Sequence, residues 1–360
     1  MNDALDFSYD ALPVRVVFRP GAAVSATPGE VERLGLRRVL VVCGARGADT
    51  ARAVADALGP ACVGVHDRAR MHVPVEVADV AVRAARAAGA DGYVAVGGGS
   101  SIGLGKAIAL RTGLPLIAVP STYSGSEMTP VWGLTEQGAK RTGRDPKVLP
   151  RSVVYDPELT LSLPVPLSVT SGVNALAHAV EALYAPDTSP LVALMAEEGV
   201  RAMARALPAV AEEPASPGAR GRALYGAWLC GSCLGATTMG LHHRLCHVLG
   251  GSFGLPHAET HTVVLPYALA HNAPAAPDAA ATVARALDAA DAPTTLWELA
   301  GRLGAPRSLA ELGLAEADLA AAAAQTAGHA YPNPRPVTAD GVLALLRAAY
   351  EGVAPVPGAH

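Results

Sequence analysis

The sequence predicts a two-part protein: an α/β domain with a parallel sheet over residues 1–160, then an all-α domain over residues 161–360. Three observations predict it. Up to about residue 160, short apolar runs rich in β-branched residues alternate with segments of helical period, and apolar runs without in-out alternation belong to a parallel sheet covered on both faces. Beyond that point the patterned segments have helical spacing only. The length of 360 residues also exceeds one compact core, since domains usually run to roughly 100–200 residues.

The elements follow in order. "RRVLVVCG" is a strand ending in Gly44, and "GADTARAVADALG" is a helix closed by Gly59. "ACVGVHD" is a second strand and "VPVEVADVAVRAARAAGA" an amphipathic helix. "DGYVAVGGGS" is a third strand running into a glycine turn, with "SIGLGKAIALRTG" the helix after it. "PLIAVPST" and, after a polar segment, "RSVVYDPEL" are further strands. Pro164 and Pro166 in "SLPVPLS" mark the boundary. The rest reads as helices: "PLSVTSGVNALAHAVEALYA", "SPLVALMAEEGVRAMARALPAVAEE", the long run "GRALYGAWLCGSCLGATTMGLHHRLCHVLGG", "TVVLPYALAHNA", "PDAAATVARALDAA", "TLWELAGRLG" and "DLAAAAAQTA".

Composition excludes several functions. The chain is 51% hydrophobic and 17% charged, which supports a folded core rather than disorder. A net charge of −4 without basic blocks argues against nucleic acid and anionic membranes as partners. The acidic start "MNDALDFSYD" lacks the order of a signal peptide, and no apolar run reaches the ~20 residues of a membrane span. Cys43, Cys62 and Cys246 stand apart in the sequence, so a cytoplasmic protein with reduced thiols is expected.

Two features carry chemistry. The first is "VAVGGGSSIGLGK" over 94–106, a strand, a triple glycine (Gly97, Gly98, Gly99) and a helix opening near Ser100. Backbone N–H groups at such a helix start suit a pyrophosphate. The turn fits neither standard nucleotide pattern: GxGxxG fails from every glycine, and the P-loop pattern would need Gly at Ser100 and Ser or Thr at Ala107. The plain alternative is a tight turn without ligand. The next strand ends in "VPSTYSGSE", whose Ser121, Thr122 and Ser126 would complete a cofactor crevice beside the turn.

The second is histidine. His242, His243, His247, His257, His261 and His271 fall within thirty residues, six of the eleven in the chain. His243 and His247 share a helix face, as do Asn174 and His178 in "SGVNALAHAVEAL". A metal reading would take His178, His243, His257 and one carboxylate; the HExxH pattern is absent. Each histidine alone reads as a cap, a core residue or a surface residue, whereas three facing inward favour a site. The pair Cys230 and Cys233 in "CGSC" has no second CxxC and lies inside a helical run, so it reads as small residues in a helix contact.

Together "MHVPVEVAD", "GGGSSIGLGKAIAL", "PSTYSGSEMTPVWGLTE", "KRTGRDPKVLPRSVVYDPELTLSLP", "SGVNALAHAVEALYA", "GLHHRLCHVLGGSFGLPHAETHTVVLPYALAHN" and "NPRPVT" resemble the maleylacetate reductases. These form a branch of the iron-containing alcohol dehydrogenase family with a dehydroquinate synthase-like fold. The resemblance covers nearly the whole chain. In the wider family one Asp and three His hold the metal, at positions that correspond to Asn174, His178, His243 and His257; the Asp is replaced here, as in that branch. The resemblance implies NAD(P)H-dependent reduction of the carbon–carbon double bond of maleylacetate to 3-oxoadipate, in bacterial degradation of hydroxyquinol and chlorocatechols, by a homodimer.

That chemistry bears on the missing carboxylate. Hydride adding to an enone leaves negative charge on the ketone oxygen, where hydrogen-bond donors can stabilise it without a Lewis acid, and a proton then goes to the neighbouring carbon. The expectation is therefore no bound metal, with His178, His243, His247 and His257 as catalytic donors. Asn174, in place of an Asp, spares a dicarboxylate substrate from repulsion. Tyr123, Arg141, Arg144, Tyr331 and Arg335 are candidate substrate contacts. After "VLVVCG" stands Gly44, where a carboxylate would exclude a ribose phosphate, with Arg46 two residues on; both NADH and NADPH are expected as cofactors. The competing readings are a metal-dependent alcohol dehydrogenase, a non-redox lyase or cyclase on the same scaffold, and a binding protein.

Overall fold

The run "VLVVC" becomes Val39–Cys43, a strand in which every residue is buried, as a parallel sheet covered on both faces requires. The structure is a computed structural model and describes residues 6–136 and 139–356. By its packing the chain divides into two bodies, one of residues 12–163 with 214–224, the other of 164–213 and 225–356 with 6–11.

The first body contains strands β1 (Arg15–Phe18), β2 (Val39–Cys43), β3 (Cys62–His66), β4 (Gly92–Gly97), β5 (Leu116–Pro120), β6 (Val131–Glu136), β7 (Ala139–Arg144) and β8 (Ser152–Tyr155). Its helices are α1 (Ala22–Ser25), α2 (Thr27–Arg33), α3 (Ala48–Leu58), α4 (Val75–Ala87) and α5 (Gly99–Thr112). Six strands make one parallel sheet in the order β1-β8-β5-β4-β2-β3. Val39, Val41, Val94, Val96, Ile117, Val119 and Val154 join Ala51, Val54 and Leu58 of α3 in one apolar core.

Two parts of this body go beyond the sequence reading. Arg15–Phe18 adds a strand at the sheet edge, only partly buried, where four residues give too short a pattern to stand out. The polar segment before "RSVVYDPEL" contains an antiparallel hairpin, β6 against β7, with Trp132 opposite Gly143. A Cβ on Gly143 would stand 2.6 Å from the Trp132 ring, so the indole occupies the space a side chain would need.

The second half forms helices α6 (Val165–Leu183), α7 (Pro190–Glu212), α8 (Pro217–Ala236), α9 (Leu241–Phe253), α10 (His257–Asn272), α11 (Pro277–Leu287), α12 (Ala292–Arg302), α13 (Leu319–Ala327) and α14 (Ala339–Glu351). Among the described residues no strand occurs in it. A second core joins α9, α10, α13 and α14 through Leu245, Leu249, Val264, Tyr267, Ala322, Leu345 and Leu346. The long run read as one helical stretch breaks at 237–240 into α8 and α9. Carboxylates capture the break: Asp187 accepts from Thr238 N at 2.9 Å and from its hydroxyl at 2.7 Å, and Glu181 accepts from Gly240 N at 3.2 Å. A helix buried nearly all round, α6, lies at the centre; Gly172 lets it approach Met203 and Leu207 of α7.

Candidate active site

Strand order fixes where a nucleotide would bind. From β2 the chain passes outward to β3, and from β4 it passes the opposite way to β5, so the reversal falls between β2 and β4. The turns after these two strands carry Gly44–Gly47 and Gly97–Gly99. They are tied together, since Gly44 N donates to Ser101 Oγ at 3.1 Å. Gly97 adopts φ +131°, a conformation that a side chain disfavours. A Cβ on Gly98 would lie 2.9 Å from Thr122 Cγ2. The glycines therefore expose the N-terminus of the fourteen-residue α5, which no side chain caps.

Ser100 stands in the first turn of α5, Ser121 donates its backbone N–H to Gly97 O at 3.1 Å, and Thr122 packs on Gly98. Ser126 sits further along, where its carbonyl accepts from Lys106 Nζ at 2.5 Å. Lys106 also donates to Thr129 Oγ1 at 2.9 Å and Val131 O at 2.8 Å, which staples the segment after β5 to α5. Burial brings this ammonium down to about 7, with Glu127 pulling the other way. Arg46 lies exposed on the turn after β2. Sequence reading did not single out Lys106 or Ser101; both were visible in "GGGSSIGLGK" but looked like ordinary helix residues.

Three expected substrate contacts also lie in this body. Tyr123 is fully buried, and its hydroxyl faces Arg220 Nη1 at 3.4 Å, so it serves internal packing rather than an open pocket. Arg141 is exposed on β7 and paired with Glu136 at 2.9 Å, and Arg144 ends the same strand.

The histidines gather in the second body. On α6, Asn174, His178 and Glu181 follow the spacing i, i+4, i+7 and are all buried. His178 stacks on His243 of α9, with ring centroids 5.1 Å apart. Glu181 is the organising group. It accepts from Gly240 N, His242 N and His243 N at 3.2, 2.8 and 3.3 Å, and pairs with His243 Nδ1 at 2.6 Å. A carboxylate thus caps the N-terminus of α9 and fixes a proton on His243 Nδ1. That leaves His243 Nε2 without a partner, along with Asn174 Oδ1 and His178 Nδ1, all three buried. Buried polar atoms left unpaired are costly, and a ligand's polar groups would satisfy them. Burial, then the neighbouring His243 and His257, hold His178 well below its ordinary titration range, so it is neutral near pH 7.

His247 and His257 are exposed; His247 sets its ring edge-on to His243 at 6.3 Å, and His257 does so to His261 at 4.4 Å. Tyr331 is half-buried with its hydroxyl unpartnered, and burial pushes that hydroxyl up to about 12. Arg335 donates to His271 O at 3.1 Å, while Asn333 of the same segment accepts from Leu241 N at 3.2 Å. Glu181 is the residue that sequence reading missed. Its signal was present, three residues after His178 on the same face, but the helix was read for its Asn–His pair alone.

Comparison with known proteins agrees in both halves. The description "Iron-containing alcohol dehydrogenase" matches residues 13–157, and "Fe-containing alcohol dehydrogenase family, C-terminal" matches 168–350. The chain is 53% identical to maleylacetate reductase from Sphingobium indicum, over 98% of this chain and 99% of that one. The crystal structure of maleylacetate reductase from a Rhizobium species superposes with TM-score 0.94 at 53% identity, covering 97% of this chain and 99% of that chain. Sulfoacetaldehyde reductase from Bifidobacterium kashiwanohense in complex with NAD+ superposes with TM-score 0.88 at 25% identity, covering 96% and 99%.

Proposed function

The chain belongs to the iron-containing alcohol dehydrogenase family, and we propose that within it the protein reduces the carbon–carbon double bond of maleylacetate with a reduced nicotinamide cofactor, giving 3-oxoadipate. The observation that carries this reading is identity above half, over nearly the full length, to a maleylacetate reductase. The enzyme is an oxidoreductase, and the glycine turn at the strand-order reversal is where the cofactor's pyrophosphate would sit.

We further propose that turnover needs no metal. The family's metal positions correspond to Asn174, His178, His243 and His257, and none of these side chains is a carboxylate. Glu181, the nearby carboxylate, is already engaged by His243 Nδ1 and three backbone N–H groups. A divalent ion there would lack the anionic ligand that offsets its desolvation, so these residues do not fit iron well. The enone supplies a different need. Hydride adds to the alkene carbon β to the ketone, and charge develops on the ketone oxygen. Neutral His178 can donate an N–H to that oxygen, and the Asn174 amide can turn its NH2 group the same way. His243 in its doubly protonated form would pass the Nε2 proton to the adjacent carbon, while Glu181 balances its charge. His247, His257, Tyr331 and Arg335 are the proposed contacts for the substrate carboxylates. Arg46, with Gly44 beside it, supports use of NADPH as well as NADH. A cytoplasmic homodimer completes the proposal; among the described residues no helix is long and apolar enough to cross a membrane.

Adding enzymatically generated maleylacetate to the protein and either reduced cofactor tests this. The expected result is loss of the reduced-nicotinamide absorbance, 3-oxoadipate as product, and kcat/KM values for NADH and NADPH within about tenfold of each other. Product formation without cofactor consumption would replace the reductase reading with a lyase or cyclase.

A further inference from the structure

Three side chains close to the proposed donors have no part in that mechanism. His242 and Cys246, four residues apart, share one face of α9, and His261 reaches them from α10. They are 0%, 2% and 0% exposed. His242 Nε2 lies 2.8 Å from His261 Nδ1, and the Cys246 sulfur lies 3.8 Å from His242 Nε2. One donor atom from each falls within 4.8 Å of the other two, and among the described residues no second group of three His, Cys or carboxylate donors is so close. The outer ring nitrogens, His242 Nδ1 and His261 Nε2, are buried without a hydrogen-bond partner. An ion held by the two inner nitrogens would fix both outer nitrogens as N–H groups.

We propose that His242, Cys246 and His261 bind one soft metal ion of the Zn2+ or Cu+ type. Two imidazoles and a thiolate are the donors such ions select. Metal–nitrogen lengths of about 2.0–2.1 Å and metal–sulfur lengths of about 2.3 Å set nitrogen and sulfur about 3.6 Å apart in a tetrahedron, and two nitrogens about 3.3–3.4 Å apart. The sulfur is already near that separation from His242 Nε2, at 3.8 Å, while its distance from the His261 donor is bounded only by 4.8 Å; the two rings must part by about half an ångström, and His261 must settle about 3.6 Å from the sulfur. Binding forms the metal–sulfur bond and releases the thiol proton to solvent. The thiolate supplies the anionic ligand, which neutralises Cu+ and halves the charge of Zn2+. The site shares no side chain with Asn174, His178, His243 or His257, so it stands whether or not the reductase reading does.

The test uses the full-length protein freed of metal by chelator and dialysis, titrated with Co2+ alone as the spectroscopic probe. The expected result is a thiolate-to-cobalt charge-transfer band in the near ultraviolet that saturates at one ion per chain and is displaced by Zn2+. Cys246→Ser, checked by circular dichroism to be folded, loses the band, and His261→Asn weakens binding by roughly tenfold or more. His178→Asn keeps the band, which separates this site from the family's metal position. Absence of the band in the wild-type protein overturns the proposal, as does a band that survives Cys246→Ser or vanishes with His178→Asn.

Discussion

At the scale of single residues, one carboxylate decides how the histidine cluster works. Glu181 has four donors pointing at it, and through His243 Nδ1 it settles which nitrogen that ring presents. Glu181→Gln keeps the shape but cannot balance a protonated His243. Steady-state assay of that variant is expected to show kcat lower by roughly 10- to 100-fold with KM changed much less. An equal loss in a variant that also unfolds would point to helix capping instead, so the thermal midpoint is measured alongside. The spacing of Asn174, His178 and Glu181 was legible in "SGVNALAHAVEAL", because period alone puts them on one face. What that face meets was not legible: the tautomer of His243 depends on α9, more than fifty residues away in sequence.

At the scale of elements, the turn between β4 and α5 is a close-packed device rather than a flexible loop. A side chain on Gly98 must displace Thr122, whose methyl would stand 2.9 Å from the new Cβ. Gly98→Ala is expected to weaken NADH binding by at least about tenfold and to lower stability by about 1–3 kcal/mol, read by nicotinamide fluorescence and thermal unfolding. Unchanged cofactor affinity would mean that the pyrophosphate sits elsewhere. The strands that flank this turn were plain in the sequence, because each is an unbroken apolar run ending in glycine or proline. Their order was not. Only the order β4-β2 in the sheet brings Gly44 to Ser101, and no local pattern encodes it. The edge strand β1 and the β6–β7 hairpin escaped for a related reason: half-exposed edges and hairpin arms lack the continuous apolar signal of central strands.

At the scale of the whole molecule, the buried histidines couple stability to pH. Burial first, then their histidine neighbours, hold His178, His242 and His261 well below their ordinary value of 6.5. The folded state keeps them neutral while the unfolded chain takes up protons as pH falls below 6.5, so the unfolded state binds more protons and stability falls with acid. With the fold holding all three neutral and the unfolded chain titrating at its ordinary value, the three together cost roughly 4 kcal/mol of stability between pH 7.5 and 5.5. Urea unfolding at the two pH values measures this, and flat stability would show that the histidines are accessible to protons in the fold. The fold itself, a parallel-sheet body followed by helices, was legible because strand and helix periods separate cleanly near residue 160. We propose that this scaffold reduces an enone with hydrogen-bond donors in place of iron. The most direct measurement is the rate of NADH oxidation by maleylacetate after exhaustive chelation, with and without added Fe2+. An unchanged rate in the chelated enzyme, with no gain from iron, is expected; a rate lost on chelation and restored by Fe2+ would show that iron takes part in turnover.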